Sequence, residues 1–211
     1  VERHIKATHA NCTPATDGKH VVAFFGSEGL YCYDVDGNLQ WKKDVGVLDA
    51  GPAGAGELQW GFASSPIIHD GKVILFCAVR NESYIAAFDV RDGQELWRTP
   101  REVDPCWGTP TVHVGTDRTQ VITNGYKQIG GYDLATGKEI WRMRGRGDVP
   151  VPTPIIAHDL IYITNAHGGD SPVYAVRPAA TGEITLADGA TTNDYIAWSH
   201  MKIGNYMQTP L

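Results

Sequence analysis

The chain has 211 residues, a net charge of −6, 42% hydrophobic and 20% charged residues. This composition is globular rather than disordered, and its mild acidity argues against a nucleic-acid partner. No run of about 18 apolar residues occurs, so no membrane span is expected, and a chain of this length forms a core without a disulfide or metal staple.

The 24 glycines and 12 prolines, with many Val, Ile, Thr and Tyr, favour short strands joined by turns. Residues 1–8 read as the tail of a preceding unit or its connection. From there two markers alternate. A Ser/Thr-Pro dipeptide opens an apolar run at Thr13-Pro14, Ser65-Pro66, Thr109-Pro110, Thr153-Pro154 and Thr209-Pro210. A tight turn leads to tryptophan at Gly37…Trp41, Gly93…Trp97 and Gly137…Trp141, and after an insertion at Gly182…Trp198.

Each unit reads as four strands. In the second, residues 65–69 form an inner strand, Asp70-Gly71 a hairpin turn, 73–78 and 84–90 two apolar strands, and 94–99 an outer strand carrying Trp97. The units span 9–46, 62–101, 107–145 and 151–201, and 205–211 open a fifth. Four-stranded repeats of 40–50 residues predict an all-β fold, a β-propeller of about four blades and thus a partial ring. One such sheet cannot cover both of its faces. Trp41, Trp97, Trp141 and Trp198 are the expected fillers between blades.

The segments DVDGNLQW, DVRDGQELW and DLATGKEIW resemble the tryptophan-docking repeat of the quinoprotein-type propellers, the PQQ-binding-like β-propeller repeat proteins of bacteria. HIKATHANCTPATDG, WGTPTVH and ITNAHGG carry the same resemblance, which covers essentially the whole chain. That superfamily holds both pyrroloquinoline-quinone (PQQ) dehydrogenases and non-enzymatic BamB-like assembly factors. The resemblance implies about seven or eight blades in a complete protein, so missing blades or a second copy are expected as partners. It also implies a periplasmic or extracellular setting. The dehydrogenases bring adjacent cysteines, a calcium-binding carboxylate set and a catalytic Asp. Here Cys12, Cys32, Cys77 and Cys106 are far apart, and no Asp or Glu matches that site. The reading leans away from an enzyme: no cofactor is expected and no catalytic residue is assigned, with PQQ and Ca²⁺ as the alternative. The four thiols read as buried or half-buried, and a disulfide stays open.

Strand direction places the short Asp-Gly and Thr-Gly turns on one face, where they serve the fold. The opposite rim gathers aromatic and polar residues: His9, Asn11, Trp60, Trp107, Asn165, His167 and Tyr206 are the candidate ligand-binding residues. Gln59, Asn81, Asn124, Arg146, Asp148, Asp170 and Asn205 surround them. Trp60 and Trp107 lie outside the repeated Trp position, so both are expected at the rim, with Trp107 contributing less to stability than Trp97 or Trp141. Two insertions, 47–58 and 185–196, break the rhythm. His4 and His9 lack the spacing of a helical zinc site, and no nucleophile elbow, P-loop or dinucleotide fingerprint is present. The expected function is a non-catalytic propeller segment that uses one rim for a protein or small-molecule partner. The alternatives are part of a PQQ-dependent oxidoreductase, or a structural half-propeller completed by association.

Overall fold

The computed structural model describes residue 8 and residues 10–51, 60–80, 82–102 and 104–210. His9, Gln59, Asn81, residues 1–7 and most of the first insertion (52–58) lie outside the described residues. The chain divides into two compact units, Val1–Pro105 and Cys106–Leu211.

The first unit holds two antiparallel sheets. One is β1 (Ala15–Thr16), β2 (His20–Phe24), β3 (Leu30–Asp34) and β4 (Leu39–Lys43); the other is β5 (Ile67–His69), β6 (Lys72–Cys77), β7 (Tyr84–Asp89) and β8 (Glu95–Pro100). The second unit repeats the pattern. Its first sheet is β9 (Thr111–Val114), β10 (Thr119–Thr123), β11 (Ile129–Asp133) and β12 (Glu139–Met143). Its second is β13 (Ile155–Ala157), β14 (Leu160–Thr164), β15 (Val173–Val176) and, after an excursion, β17 (Ile196–His200). Each sheet is a propeller blade whose strands follow chain order from inner to outer.

The strand sequences explain the layering. The two middle strands β6 and β7 are apolar along almost their whole length and almost wholly buried, as strands covered on both faces must be. Their side chains join Val22, Phe24, Leu30 and Trp41 in the core of the first unit. Ile122, Ile129, Trp141, Ile161, Ile163 and Val176 form the core of the second. The Ser/Thr-Pro dipeptides tie successive unit openings together. The Thr13 amide donates to Ser65 Oγ at 2.8 Å, Thr111 Oγ1 to the Pro154 carbonyl at 2.6 Å, and the Thr153 amide to Thr209 Oγ1 at 3.3 Å.

Every blade carries a bulge beside its tryptophan. Trp41, Trp97, Trp141 and Trp198 face Cys32, Ala87, Gly131 and Ala175, and the register shifts immediately after each pair. The extra residue on the outer strand strengthens the local twist and re-aims the indole. Opposite Trp141 only glycine fits the close approach: a Cβ on Gly131 would lie 2.1 Å from Trp141 Nε1 and 2.6 Å from Cε2. Gly131→Ala is therefore expected to cost about 1–3 kcal/mol by overpacking. In a Trp141→Ala background that cost should vanish, a coupling that a double-mutant cycle in urea would read.

The second insertion is not a free loop. After β15 the chain leaves its blade and forms β16 (Gly182–Glu183), which pairs in parallel with β12 (Trp141↔Gly182, Arg142↔Glu183). The third blade thus has five strands, and the chain returns to finish the fourth with β17. The Ile184 amide donates to the Arg142 carbonyl at 2.9 Å, and Arg142 Nε meets Glu183 Oε2 at 3.2 Å. The Arg118 guanidinium holds the start of the excursion, donating to the carbonyls of Pro178 and Ala180. Ala180 and Ile184 are buried beneath it.

All four cysteines are free thiols, and Cys32, Cys77 and Cys106 are buried. Burial pushes the Cys77 thiol up to about 12 and the Cys32 thiol to about 11. Thiolates are the reactive form. Labelling with an aromatic disulfide at pH 8 should therefore modify Cys32 and Cys77 only as the protein unfolds. Modification of both at the rate of a free thiol in native buffer would contradict this burial.

Candidate binding rim

The four repeated tryptophans do not share one environment. Trp41 Nε1 donates to the Val90 carbonyl at 2.8 Å, and its ring covers Gly93, where a Cβ would meet Cε3 at 2.8 Å. Trp141 is fully buried and donates to Gln120 Oε1 at 2.9 Å; Gln120 Nε2 in turn donates to the Pro178 carbonyl at 2.9 Å. Val90 and Pro178 stand at matching places, each three residues past the bulge partner of its blade, Ala87 or Ala175. The first unit makes this link directly and the second through an intervening amide. Trp97 is buried. Trp198 departs from the expected filler role: it is 37% exposed on the last outer strand, beside Tyr162 and His200.

Trp60 and Trp107 share a backbone construction. The amides of Trp60 and Gly61 both donate to the Ala50 carbonyl, and those of Trp107 and Gly108 both donate to the Pro150 carbonyl. Their side chains differ. Trp60 is 37% exposed, whereas Trp107 is only 8% exposed, as buried as Trp41 and Trp97. The expectation of a lightly packed Trp107 is thereby corrected, because its indole is buried.

Three sequence candidates lie close together in the second unit. Asn165 directly follows β14, His167 lies in the β14–β15 loop, and Tyr206 follows β17. The last segment is strapped onto that loop. The Gly204 amide donates to the Ser171 carbonyl at 2.6 Å, and the Asn205 amide to Thr164 Oγ1 at 2.9 Å. Gly204 allows the approach, since a Cβ there would sit 2.4 Å from the Pro172 carbonyl and 2.5 Å from that of Asn165. This strap stacks the Tyr206 ring on His167, with centroids 5.7 Å apart and planes 20° apart. Both rings are exposed.

Charges of both signs surround the stack. His167 Nδ1 lies 3.8 Å from Asp148 Oδ2, and that carboxylate packs over Gly168. Asp170 receives Arg146 and Lys202, each at 3.4 Å, and Lys202 Nζ donates to the Gly169 carbonyl at 2.6 Å. Asn11 lies in the first unit, exposed, with Oδ1 accepting from Thr8 Oγ1 at 2.9 Å.

Asn165 is 1% exposed, and neither its Nδ2 nor its Oδ1 has a partner among the described residues. Asn124, which directly follows β10, holds the matching place one blade earlier. Its Nδ2 donates to the carbonyls of Pro152 at 2.8 Å and Thr164 at 3.0 Å, both in the next blade. This difference between the two asparagines was not visible in the sequence, where both simply follow an apolar strand.

Chemically the rim offers an aromatic platform, guanidinium and ammonium donors and carboxylate acceptors. A Ca²⁺–quinone pair asks for more. Calcium takes about 6–8 oxygen ligands, and among the described residues no group of three or more His, Cys, Asp and Glu could hold a metal ion. Nor is any helix among the described residues long and apolar enough to cross a membrane.

Four-stranded blades in chain order, each with a tryptophan beside an outer-strand bulge, define a PQQ-like β-propeller repeat protein. The family profile described as outer membrane protein assembly factor BamB matches residues 81–205, more than half of the chain, which therefore belongs to this family. No curated protein sequence matches. Among solved structures, BamB from Moraxella catarrhalis is similar at 16% identity and a TM-score of 0.57, over 90% of this chain and 64% of that one. The quinohemoprotein alcohol dehydrogenase from Comamonas testosteroni is similar at 16% identity and a TM-score of 0.60, over 85% of this chain and 37% of that one. A europium-containing methanol dehydrogenase gives 14% identity and a TM-score of 0.56, over 98% and 44%. The chain thus spans under two thirds of each of these structures, and at such identities the likeness is one of fold.

Proposed function

We propose that this chain is a non-catalytic β-propeller segment that binds a protein partner through its rim, in a periplasmic or extracellular setting. The observation that carries this reading is the exposed His167–Tyr206 stack set among Arg146, Asp148, Asp170 and Lys202. Exposed aromatics ringed by mixed charge suit a partner's polar surface, and interfaces are enriched in aromatic residues and Arg. Membership of a family described as an assembly factor supports a protein as the occupant. A photo-crosslinking residue placed at position 206 should capture a discrete partner in cells. The same residue at Val114, 64% exposed on the opposite face, should not, and His167→Ala should weaken capture at 206. Equal capture at both positions would overturn the reading. Adding PQQ with Ca²⁺ should change neither absorbance nor melting temperature; saturable stabilisation would favour the oxidoreductase instead.

A second reading rests on Asn165. Asn124 has carbonyl partners on the next blade, and Asn165 has none. An orphaned buried amide of this kind costs about 1–3 kcal/mol. A further four-stranded unit packed on the fourth blade, from missing blades or a second copy, would supply those carbonyls and cover Trp198. Light scattering over a range of concentrations tests the second copy, because a strictly monomeric mass at all concentrations removes it.

A further inference from the structure

We propose that the second unit carries another binding site, built by its insertion, for a small carboxylate with an apolar body. The site is a cleft of about 300 Å³ beside the end of β12. It has Arg146 in common with the rim but neither His167 nor Tyr206, and the proposal does not rest on the reading above.

The insertion forms one wall, and its ends are pinned. The Arg144 amide donates to Thr185 Oγ1 at 2.7 Å, Asn193 Nδ2 to the Ile184 carbonyl at 2.9 Å, and Ser199 Oγ to the Thr191 carbonyl at 3.0 Å. A turn at 187–190, closed by the Ala190 amide on the Ala187 carbonyl at 3.0 Å, forms the lip. A wall held at both ends keeps the cleft open without a ligand, which lowers the ordering cost of binding.

The lining is divided by chemistry. Met143 and Tyr174, 1% and 2% exposed, lie deep, with Leu186 and Met201 beside them. Two flexible thioethers adapt to an apolar body of varied shape. Burial pushes the Tyr174 phenol up to about 12, so it stays neutral and keeps an O–H to donate. Arg144, Arg146 and Asp188 also line the cleft, and all three are exposed. Arg146 is already shared between Asp170 at 3.4 Å and Asp188 at 3.9 Å. The Arg144 guanidinium, by contrast, has no carboxylate partner among the described residues. A planar guanidinium above an apolar floor is matched by a carboxylate on a short hydrocarbon. The volume is at the small end for ligand pockets, enough for a medium-chain acid or for the last residue of a peptide ending in an apolar amino acid.

The chain has three methionines, Met143, Met201 and Met207. Two line the cleft, and Met207, 57% exposed, is a reference within the same molecule. With ¹³C-methyl methionine, titration with octanoate or with N-acetyl-leucine should move the Met143 and Met201 signals saturably at millimolar concentration or below and leave Met207 in place. The methyl ester of the tighter ligand should bind at least tenfold more weakly. Arg144→Gln should lose the same factor, while Arg98→Gln in the first unit loses nothing. Tighter binding of octanoate identifies a free acid as the source, and tighter binding of N-acetyl-leucine a peptide end. Equal binding of acid and ester, equal movement of all three methyls, or no movement by 10 mM would overturn the proposal. Leu186→Asp, which puts a like charge beside the carboxylate, checks the result independently and should abolish the shifts.

Discussion

Trp141→Ala is expected to lower the unfolding free energy by about 3–5 kcal/mol, the range for truncating a large buried aromatic. The indole is 0% exposed, lies flat on Gly131 and anchors Gln120, which passes the link to the Pro178 carbonyl. Removing it leaves a cavity and frees a buried glutamine oxygen. The same substitution at Trp198 removes a ring that is 37% exposed and should cost no more than about 1 kcal/mol. Urea unfolding followed by far-ultraviolet circular dichroism compares the two without relying on tryptophan emission. Equal losses would mean that repeat position, rather than burial, sets the contribution of these residues.

Trp107→Ala should be almost as damaging, at about 3–5 kcal/mol, whereas Trp60→Ala should stay near 1 kcal/mol. The two residues occupy the same local construction, a Trp-Gly pair whose amides converge on one carbonyl. They differ in what surrounds the ring, buried at 107 and 37% exposed at 60. If the Trp107 variant unfolds at the urea concentration of the parent, its indole is not part of the interior.

The blades were legible because their signals are local. A Ser/Thr-Pro pair, an Asp-Gly turn and a tryptophan four residues past a glycine each specify geometry over a few residues, and their recurrence carries the topology. The grouping of Asn165, His167 and Tyr206 was foreseeable from strand direction alone. The stacking of two of them was not, since it depends on Gly204 letting a later segment reach the loop. Trp107 looked like a rim residue because it breaks the repeat position, and only tertiary packing decides whether such a ring turns inward. The destination of the insertion was hidden for another reason. A strand as short as Gly182–Glu183 has no periodicity to read, and its partner lies some forty residues upstream.

That late pairing sets an order of events during synthesis. The outer strand of the third blade is complete when residue 143 leaves the ribosome, but its edge stays open until residue 183 has emerged. In that interval β12 presents unpaired backbone groups, and Trp141 lacks the cover of Ala180 and Ile184. Open edges of this kind are where nascent chains join one another. Slow translation between these points, or a chain truncated near residue 180, would thus prolong an adhesive intermediate that the finished fold conceals.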